Sequence, residues 1–133
     1  MLDAQYQEAL GKFKDGNFKI ASTQFTQLIN SGYSNKEVYV KRGITFYQEK
    51  DFEKAKNDFD EAVKGRINTA ELYEFRGNAK YNLNDFQGSA TDLDKAVGMG
   101  ANNFETFSNL ANCKFRMDNF KEAITNYDKA IAS

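Results

Sequence analysis

Histidine, proline and tryptophan are absent from the 133 residues, and cysteine occurs once, at Cys113. Without histidine the usual zinc sites and the Ser-His and Cys-His nucleophile pairs cannot be assembled, and one thiol builds no intrachain disulfide framework. An excess of charge of one sign is missing as well. Eighteen basic residues against 19 acidic ones leave a net charge of -1, which disfavours a general nucleic-acid binder, because that needs surplus cations facing phosphates. No stretch approaches the roughly 18 apolar residues of a membrane span. Met1 is followed by Leu2, Asp3, Ala4 and Gln5, with no basic segment leading into an apolar run of signal-peptide length. These absences predict no catalytic residue, no metal, no cofactor, no nucleic-acid partner and no direct membrane insertion. They point to a soluble, cytoplasmic protein, although a domain cut from an exported or anchored parent would read the same way. Lysine and asparagine, 14 of each, outnumber the 4 arginines, a bias that hints at an AT-rich genome and carries nothing about function.

What is present is a repeat. One short phrase occurs four times, as Gly16-Asn17-Phe18-Lys19-Ile20-Ala21, Lys50-Asp51-Phe52-Glu53-Lys54-Ala55, Asn84-Asp85-Phe86-Gln87-Gly88-Ser89 and Asp118-Asn119-Phe120-Lys121-Glu122-Ala123. Its phenylalanines stand 34 residues apart without insertion, the length of a helix-turn-helix unit. Small residues keep the same register at Ala9, Gly43, Gly77 and Ala111, at Ala21, Ala55, Ser89 and Ala123, and at Ala62, Ala96 and Ala130, with Leu28 as the exception in the first repeat. Large apolar residues recur at Phe25, Phe59, Leu93 and Tyr127, and at Ile29, Val63, Val97 and Ile131. Spacings of three, four and seven place these columns on one helical face, and the small positions let two helices approach closely. Asn17, Asp51, Asp85 and Asn119 read as N-caps of the second helices, and Asn35, Thr69 and Asn103 as N-caps of first helices. Gly32, Gly65, Gly98 and Gly100 read as left-handed C-caps. The pattern predicts helices at roughly 2–15, 18–31, 36–49, 52–65, 70–83, 86–98, 104–117 and 120–132, and no strand.

These columns resemble the tetratricopeptide repeat family, whose consensus runs aromatic, Leu-Gly or Arg-Gly, Tyr, Gly-Asp-Tyr, Ala, Phe or Tyr, Ala and Pro. Repeat two matches through Tyr39, Arg42-Gly43, Phe46, Asp51-Phe52, Ala55, Phe59 and Ala62. Repeat three matches through Tyr73, Arg76-Gly77, Asp85-Phe86 and Ala96, and repeat four through Phe107, Leu110-Ala111, Phe120, Ala123, Tyr127 and Ala130. Two departures are plain. No proline closes the repeats, so the turn relies on glycine, and repeat one has Gln5 and Glu8 where an aromatic and Leu or Arg are expected. The resemblance implies an all-α, right-handed α-solenoid of four tetratricopeptide repeats and eight antiparallel helices. It would be one domain over 1–133, with repeats at about 2–35, 36–69, 70–103 and 104–133.

Within the repeats, Arg42 and Arg76 occupy the seventh position only where Asp58 and Asp92 occupy the twenty-third. That covariation within one chain predicts the pairs Arg42–Asp58 and Arg76–Asp92 across the two helices of a repeat. Acidic residues recur at Asp3, Glu37, Glu71 and Glu105, each in a first turn where the helix dipole favours a carboxylate. Lys12, Lys80 and Lys114 stand where the family has Tyr, and are expected to pack their stems while the amines reach water. Cys113 reads as a small packed residue.

By the same resemblance, first helices line a concave groove that takes a peptide or helix of a partner protein. The positions implied are Tyr6, Leu10, Val40, Lys41, Ile44, Tyr47, Phe75, Asn78, Tyr81, Asn82, Asn109 and Asn112, with an aromatic column at Phe13, Tyr47, Tyr81 and Phe115. Aromatic side chains offer contact area at low conformational cost, and the asparagine amides can both donate to and accept from a peptide backbone. Equally, the aromatic column can serve only to pack first helices together. The carboxylate clamp by which some family members hold chaperone tails is not reproduced, since its positions carry Tyr6, Leu10, Lys41, Glu71 and Phe75. The reading is therefore a non-catalytic protein-protein interaction scaffold. The alternative is a self-assembling module, a homo-oligomer built through terminal helices, with Ile124, Tyr127 and Ile131 as an apolar face. Phe52→Ala and Phe86→Ala are expected to cost about 3 to 5 kcal/mol if these anchors are buried, and Tyr47→Ala and Phe75→Ala to cost less stability and more binding.

Overall fold

The computed structural model describes residues 1–133 and contains eight α-helices and no strand. They are α1 (Leu2–Lys14), α2 (Phe18–Asn30), α3 (Glu37–Gln48), α4 (Phe52–Lys64), α5 (Ala70–Asn82), α6 (Phe86–Gly98), α7 (Phe104–Arg116) and α8 (Phe120–Ala132). Every boundary falls within about a residue of its sequence-based expectation, because the punctuation is local chemistry. Asp51, Thr69, Asp85, Asn103 and Asn119 each accept a hydrogen bond from the backbone N–H three residues on, which satisfies one of the helix's orphan donors. Asn17 makes no such side-chain bond. Asn35 acts one step earlier than expected: its Oδ1 accepts from Glu37 N at 3.0 Å, and α3 starts at Glu37.

The C-terminal turns differ from the sequence reading in an informative way. Each of the first seven helices is followed by one left-handed residue, at Gly16, Gly32, Lys50, Arg66, Asn84, Gly100 and Asp118. The residue after it sends its N–H back to the last turn, as in Asn17 N to Lys12 O, Asp51 N to Phe46 O, Ile67 N to Ala62 O and Asn119 N to Lys114 O. This is the Schellman arrangement, and it ends each helix without proline. Gly65 and Gly98 were expected to take the left-handed position and do not. Gly98 is the last residue of α6, and Gly65 has φ -79, the left-handed role passing to Arg66 at φ 66. Gly65 serves a different need, since a Cβ there would lie 2.6 Å from Lys36 Cγ.

The chain divides into two compact units, Met1–Ile67 and Asn68–Ser133, each holding two helix hairpins. In the first, α1 packs on α2, α2 on α3 and α3 on α4. Its core gathers Tyr6, Ala9, Ala21, Phe25, Leu28, Tyr33 and Val38. Tyr33 crosses from the loop after α2 and donates its hydroxyl to Asp3 Oδ1 at 2.8 Å. In the second unit, α5 packs on α6, α6 on α7 and α7 on α8, with Ala90, Leu93, Leu110 and Cys113 buried between them.

Within a hairpin the two helices meet where the small eighth position of the repeat faces a large residue of the second helix. A Cβ on Gly43 would lie 2.6 Å from Phe59 Cε1, and one on Gly77 2.6 Å from Leu93 Cδ2 and 2.7 Å from its Cγ. Beside these glycines stand the predicted ion pairs. Arg42 Nε and Nη2 reach Asp58 at 2.8 and 2.6 Å, and Arg76 Nε and Nη2 reach Asp92 at 2.8 and 2.9 Å. Both forks are bidentate, and both carboxylates are buried. Burial pushes the Asp58 carboxyl above its ordinary range, against the opposing pull of the Arg42 hydrogen bonds and charge. The lysine expectation holds for the stems of Lys80 and Lys114, which are packed, but not for their amines: Lys80 Nζ lies 2.9 Å from Asp92 and Lys114 Nζ 2.8 Å from Asp94, so both are spent on carboxylates. At these depths an amine without water needs a counter-charge.

The repeat-marking phenylalanines are not the deepest residues. Phe18, Phe52 and Phe86 are half-buried and Phe120 is half-exposed, whereas Phe25, Phe59 and Leu93 are fully enclosed. Each marker instead meets the aromatic five residues before it edge-on: Phe13–Phe18 at 6.1 Å, Tyr47–Phe52 at 5.3 Å, Tyr81–Phe86 at 5.6 Å and Phe115–Phe120 at 5.3 Å between centroids. Edge-to-face geometry suits the ring quadrupoles, so these pairs clasp the hairpin turn.

Two stability predictions follow this order of burial. In urea unfolding, Phe59→Ala should lose about 3 to 5 kcal/mol and Phe52→Ala roughly half as much. Gly77→Ala should lose about 1 to 2 kcal/mol because the added methyl collides with Leu93, whereas Gly11→Ala, whose Cβ meets nothing within 4 Å, should gain about 0.5 to 1 kcal/mol of helix propensity.

Candidate partner-binding site

The residues implied as a groove divide between the two units and do not share one environment. On the first unit, Tyr6 is enclosed, its ring 5.4 Å from Tyr33 and 6.1 Å from Phe25. Val40, Ile44 and Tyr47 are buried as well, and Leu10 is half-buried against the core. Lys41 is half-buried with its Nζ 6.0 Å from the Phe13 centroid. Most of this set therefore serves packing and offers a ligand little surface.

On the second unit, the asparagines expected to meet a peptide backbone are tied to one another. Asn109 Nδ2 donates to Asn78 Oδ1 at 3.0 Å, Asn78 Nδ2 to Glu105 Oε1 at 3.4 Å, and Asn82 Nδ2 to the Asn78 carbonyl at 2.8 Å. Thr106 Oγ1 and Asn103 Nδ2 both donate to Glu74 Oε2, fastening α7 to α5 beside this ladder. Phe75 is half-buried on α5. The ladder gives the buried Asn78 amide partners on both its atoms, Glu105 for its N–H and Asn109 for its oxygen.

One part of the implied groove stays open. Tyr81, Asn112, Phe115, Arg116, Asp118, Phe120 and Tyr127 line a concavity of roughly 740 Å³ formed by α5, α7, α8 and the turn between the last two. Asn112 sits at its centre, donating to Tyr81 Oη at 2.9 Å and accepting from Tyr127 Oη. These bonds fix three side chains and leave the aromatic faces free for contact. Phe115 and Phe120 are 55% and 50% exposed, so two adjoining aromatic rings face the concavity. Arg116 lies with its guanidinium carbon 4.4 Å from the Phe86 centroid, which holds a cation at the rim, and Asp118 supplies an anion beside it.

The sequence reading named Tyr81 and Asn112 for the groove, placed Phe115 in the aromatic column, and assigned Tyr127 to an end face. The structure brings all four into one site. Arg116 was missed, and the signal that finds it is the five-residue aromatic spacing: Arg116 lies inside the Phe115–Phe120 clasp. Of the proposed end face, Ile124 and Ile131 are exposed at 61% and 80%, while Tyr127 turns inward to Asn112.

The family follows from comparison with known proteins. The tetratricopeptide repeat model matches residues 6–71 and again residues 104–133, and the chain belongs to this family. Among solved structures, MamA residues 41 to the end from Desulfovibrio magneticus RS-1 superposes with a TM-score of 0.83 at 17% identity, over 99% of this chain and 75% of that one. A second MamA structure gives 0.84 at 20% identity, over 98% and 72% of the two chains. A structure from work on Pseudomonas aeruginosa pilF gives 0.80 at 17% identity, over 99% of this chain and 60% of that one. At such identities the likeness is one of fold. No curated protein matches the sequence. No helix is long and apolar enough to cross a membrane.

Three groups should make stability sensitive to alkali, the first to titrate being the buried Cys113 thiol, which burial pushes above its ordinary range. Burial and the hydrogen bond to Asp3 raise the Tyr33 hydroxyl above the ordinary tyrosine value. For Lys114, burial alone would lower the value, but Asp94 and then Glu122 outweigh it and the net shift is upward. A group whose folded value is raised gives stability that is complete below its unfolded value and lost as pH climbs through the folded one. Unfolding free energy should therefore begin to fall above the ordinary thiol range and fall further above the ordinary tyrosine range. Tyr33→Phe should start about 1 kcal/mol lower at neutral pH and fall less steeply in denaturant titrations at alkaline pH.

Proposed function

We propose that this chain is a non-catalytic, cytoplasmic protein-interaction scaffold whose partner inserts apolar side chains into the concavity formed by α5, α7 and α8. A tetratricopeptide fold supports protein binding in general. The observation that carries the specific reading is the pair Phe115 and Phe120, held 5.3 Å apart by packing and still half open to solvent beside a hydrogen-bonded Asn112. Rigid aromatic walls lose little entropy when a ligand arrives, and they suit an amphipathic helix or an extended peptide with one or two apolar anchors. Arg116 and Asp118 at the rim then favour a segment carrying both charges next to its anchor. The buried residues Val40, Ile44 and Tyr47 serve the scaffold, and the asparagine ladder of Asn78, Asn82 and Asn109 stiffens the wall behind the site.

The test is affinity capture from a lysate of the source organism, read by mass spectrometry, with wild type beside Phe115→Ala and Arg116→Glu. Both substituted residues are exposed, so circular dichroism should show both variants folded. A partner bound by the wild type should be reduced about tenfold or more by Phe115→Ala and left unchanged by Ile20→Ala on the first unit. Equal retention by wild type and Phe115→Ala would remove the concavity as the site.

A further inference from the structure

The 34-residue register allows each helix to be compared with its equivalents, and α1 and α8 stand out. In the interior of each unit, a second helix covers the following first helix, as α2 covers α3 and α6 covers α7. On these first helices Val38 and Thr45 of α3, and Thr106 and Cys113 of α7, are fully buried, Val38 in the core with α2 and Cys113 in the core with α6. Their equivalents on α1 are Ala4 and Gly11, both exposed. On the covering side, Ile29 of α2 and Val97 of α6 are half-buried against their cores, whereas their equivalent on α8, Ile131, is 80% exposed, with the exposed Ile124 two helical turns before it. One end thus offers a shallow face of small side chains, and the other offers the apolar stripe that interior repeats use to cover such a face.

Charge sets the register. Between α6 and α7, Lys114 Nζ reaches across to Asp94 Oδ2 at 2.8 Å. The residues 102 earlier and 34 later are Lys12 on α1 and Asp128 on α8. Neither has an ion-pair partner within the chain, yet each is the counterpart of one half of the pair made between α6 and α7, at positions that hold Thr26 and Phe46 between α2 and α3. We infer that α8 of one copy docks on α1 of a second copy in the α6–α7 register, with Asp128 of one facing Lys12 of the other, so that the chain associates head to tail with itself. The contact is heterologous, and each docked copy leaves one donor end and one acceptor end for the next. A single helix-helix contact is small, so association is weak and rises with concentration. It does not use Phe115 or Arg116, and so stands or falls apart from the concavity.

Sedimentation velocity over roughly 10 µM to 1 mM tests this. The wild type should exceed the monomer mass increasingly with concentration. Asp128→Lys and Lys12→Asp should each weaken association about tenfold or more, because like charges then face each other. The double variant carrying both should recover the wild-type behaviour, since the pair is restored with reversed sign. A strict monomer at the highest concentration would overturn the inference, leaving the α8 stripe to another polypeptide. Association indifferent to both single swaps, or lost in them and not recovered in the double variant, would overturn it as well.

Discussion

The constraint on which the rest depends is the distance between the two helices of a hairpin, set where Gly43 faces Phe59 and Gly77 faces Leu93. No side chain stands between the glycine backbone and the Phe59 ring or the Leu93 side chain, so the helices close until packing stops them. That approach brings a seventh-position arginine within reach of a twenty-third-position aspartate, and the fork of Arg42 on Asp58 is a consequence of it. A buried pair of this kind contributes little net stability against an apolar substitute, but losing one partner strands a charge at a cost of about 3 to 5 kcal/mol. Its use here is geometric. Two bonds at fixed angles permit one register of helix against helix, and the same register is carried into the turn, where the aromatic clasps and the left-handed residues close the repeat.

Surface left over from packing is where binding is to be sought. On the first unit the implied groove residues are consumed: Tyr6, Val40, Ile44 and Tyr47 are enclosed. On the second, amides and carboxylates of α5 and α7 bond to one another, and the aromatic concavity under Phe115 and Phe120 stays open beside them. The division follows repeat composition. Repeats two and three join their hairpins through an Arg–Asp fork, whereas repeat four has Leu110-Ala111 and Asn126, and its hairpin is joined through Tyr127 and Asn112.

Much of this was legible in the sequence, because period, caps and charge pairing are relations between residue types at fixed spacing. Eight helices, their ends, and the Arg42–Asp58 and Arg76–Asp92 pairs were all available from the register. Depth was not. A recurring phenylalanine says that its position is used four times, not how far it is covered, and so Phe52 read as a core anchor while Phe59 is the enclosed one. The left-handed turns were misplaced at Gly65 and Gly98 because hydrogen-bonding to the last turn can hold Arg66 or Lys50 in that conformation, so glycine is no necessary marker. The asparagines read as free donors because a sequence does not show which amide satisfies which, and Lys114 read as solvated because its counter-ion Asp94 comes from the neighbouring hairpin.

The central claim is that the partner surface is the open aromatic end of the second unit. Hydrogen exchange followed by mass spectrometry, on this chain alone and on its complex with a captured partner, tests it most directly. Slowed exchange in the last turn of α7, the Met117–Asn119 turn and the first turn of α8, with α1 to α4 unchanged, is the predicted result. Protection confined to the first unit, with that turn exchanging as in the free chain, would contradict it.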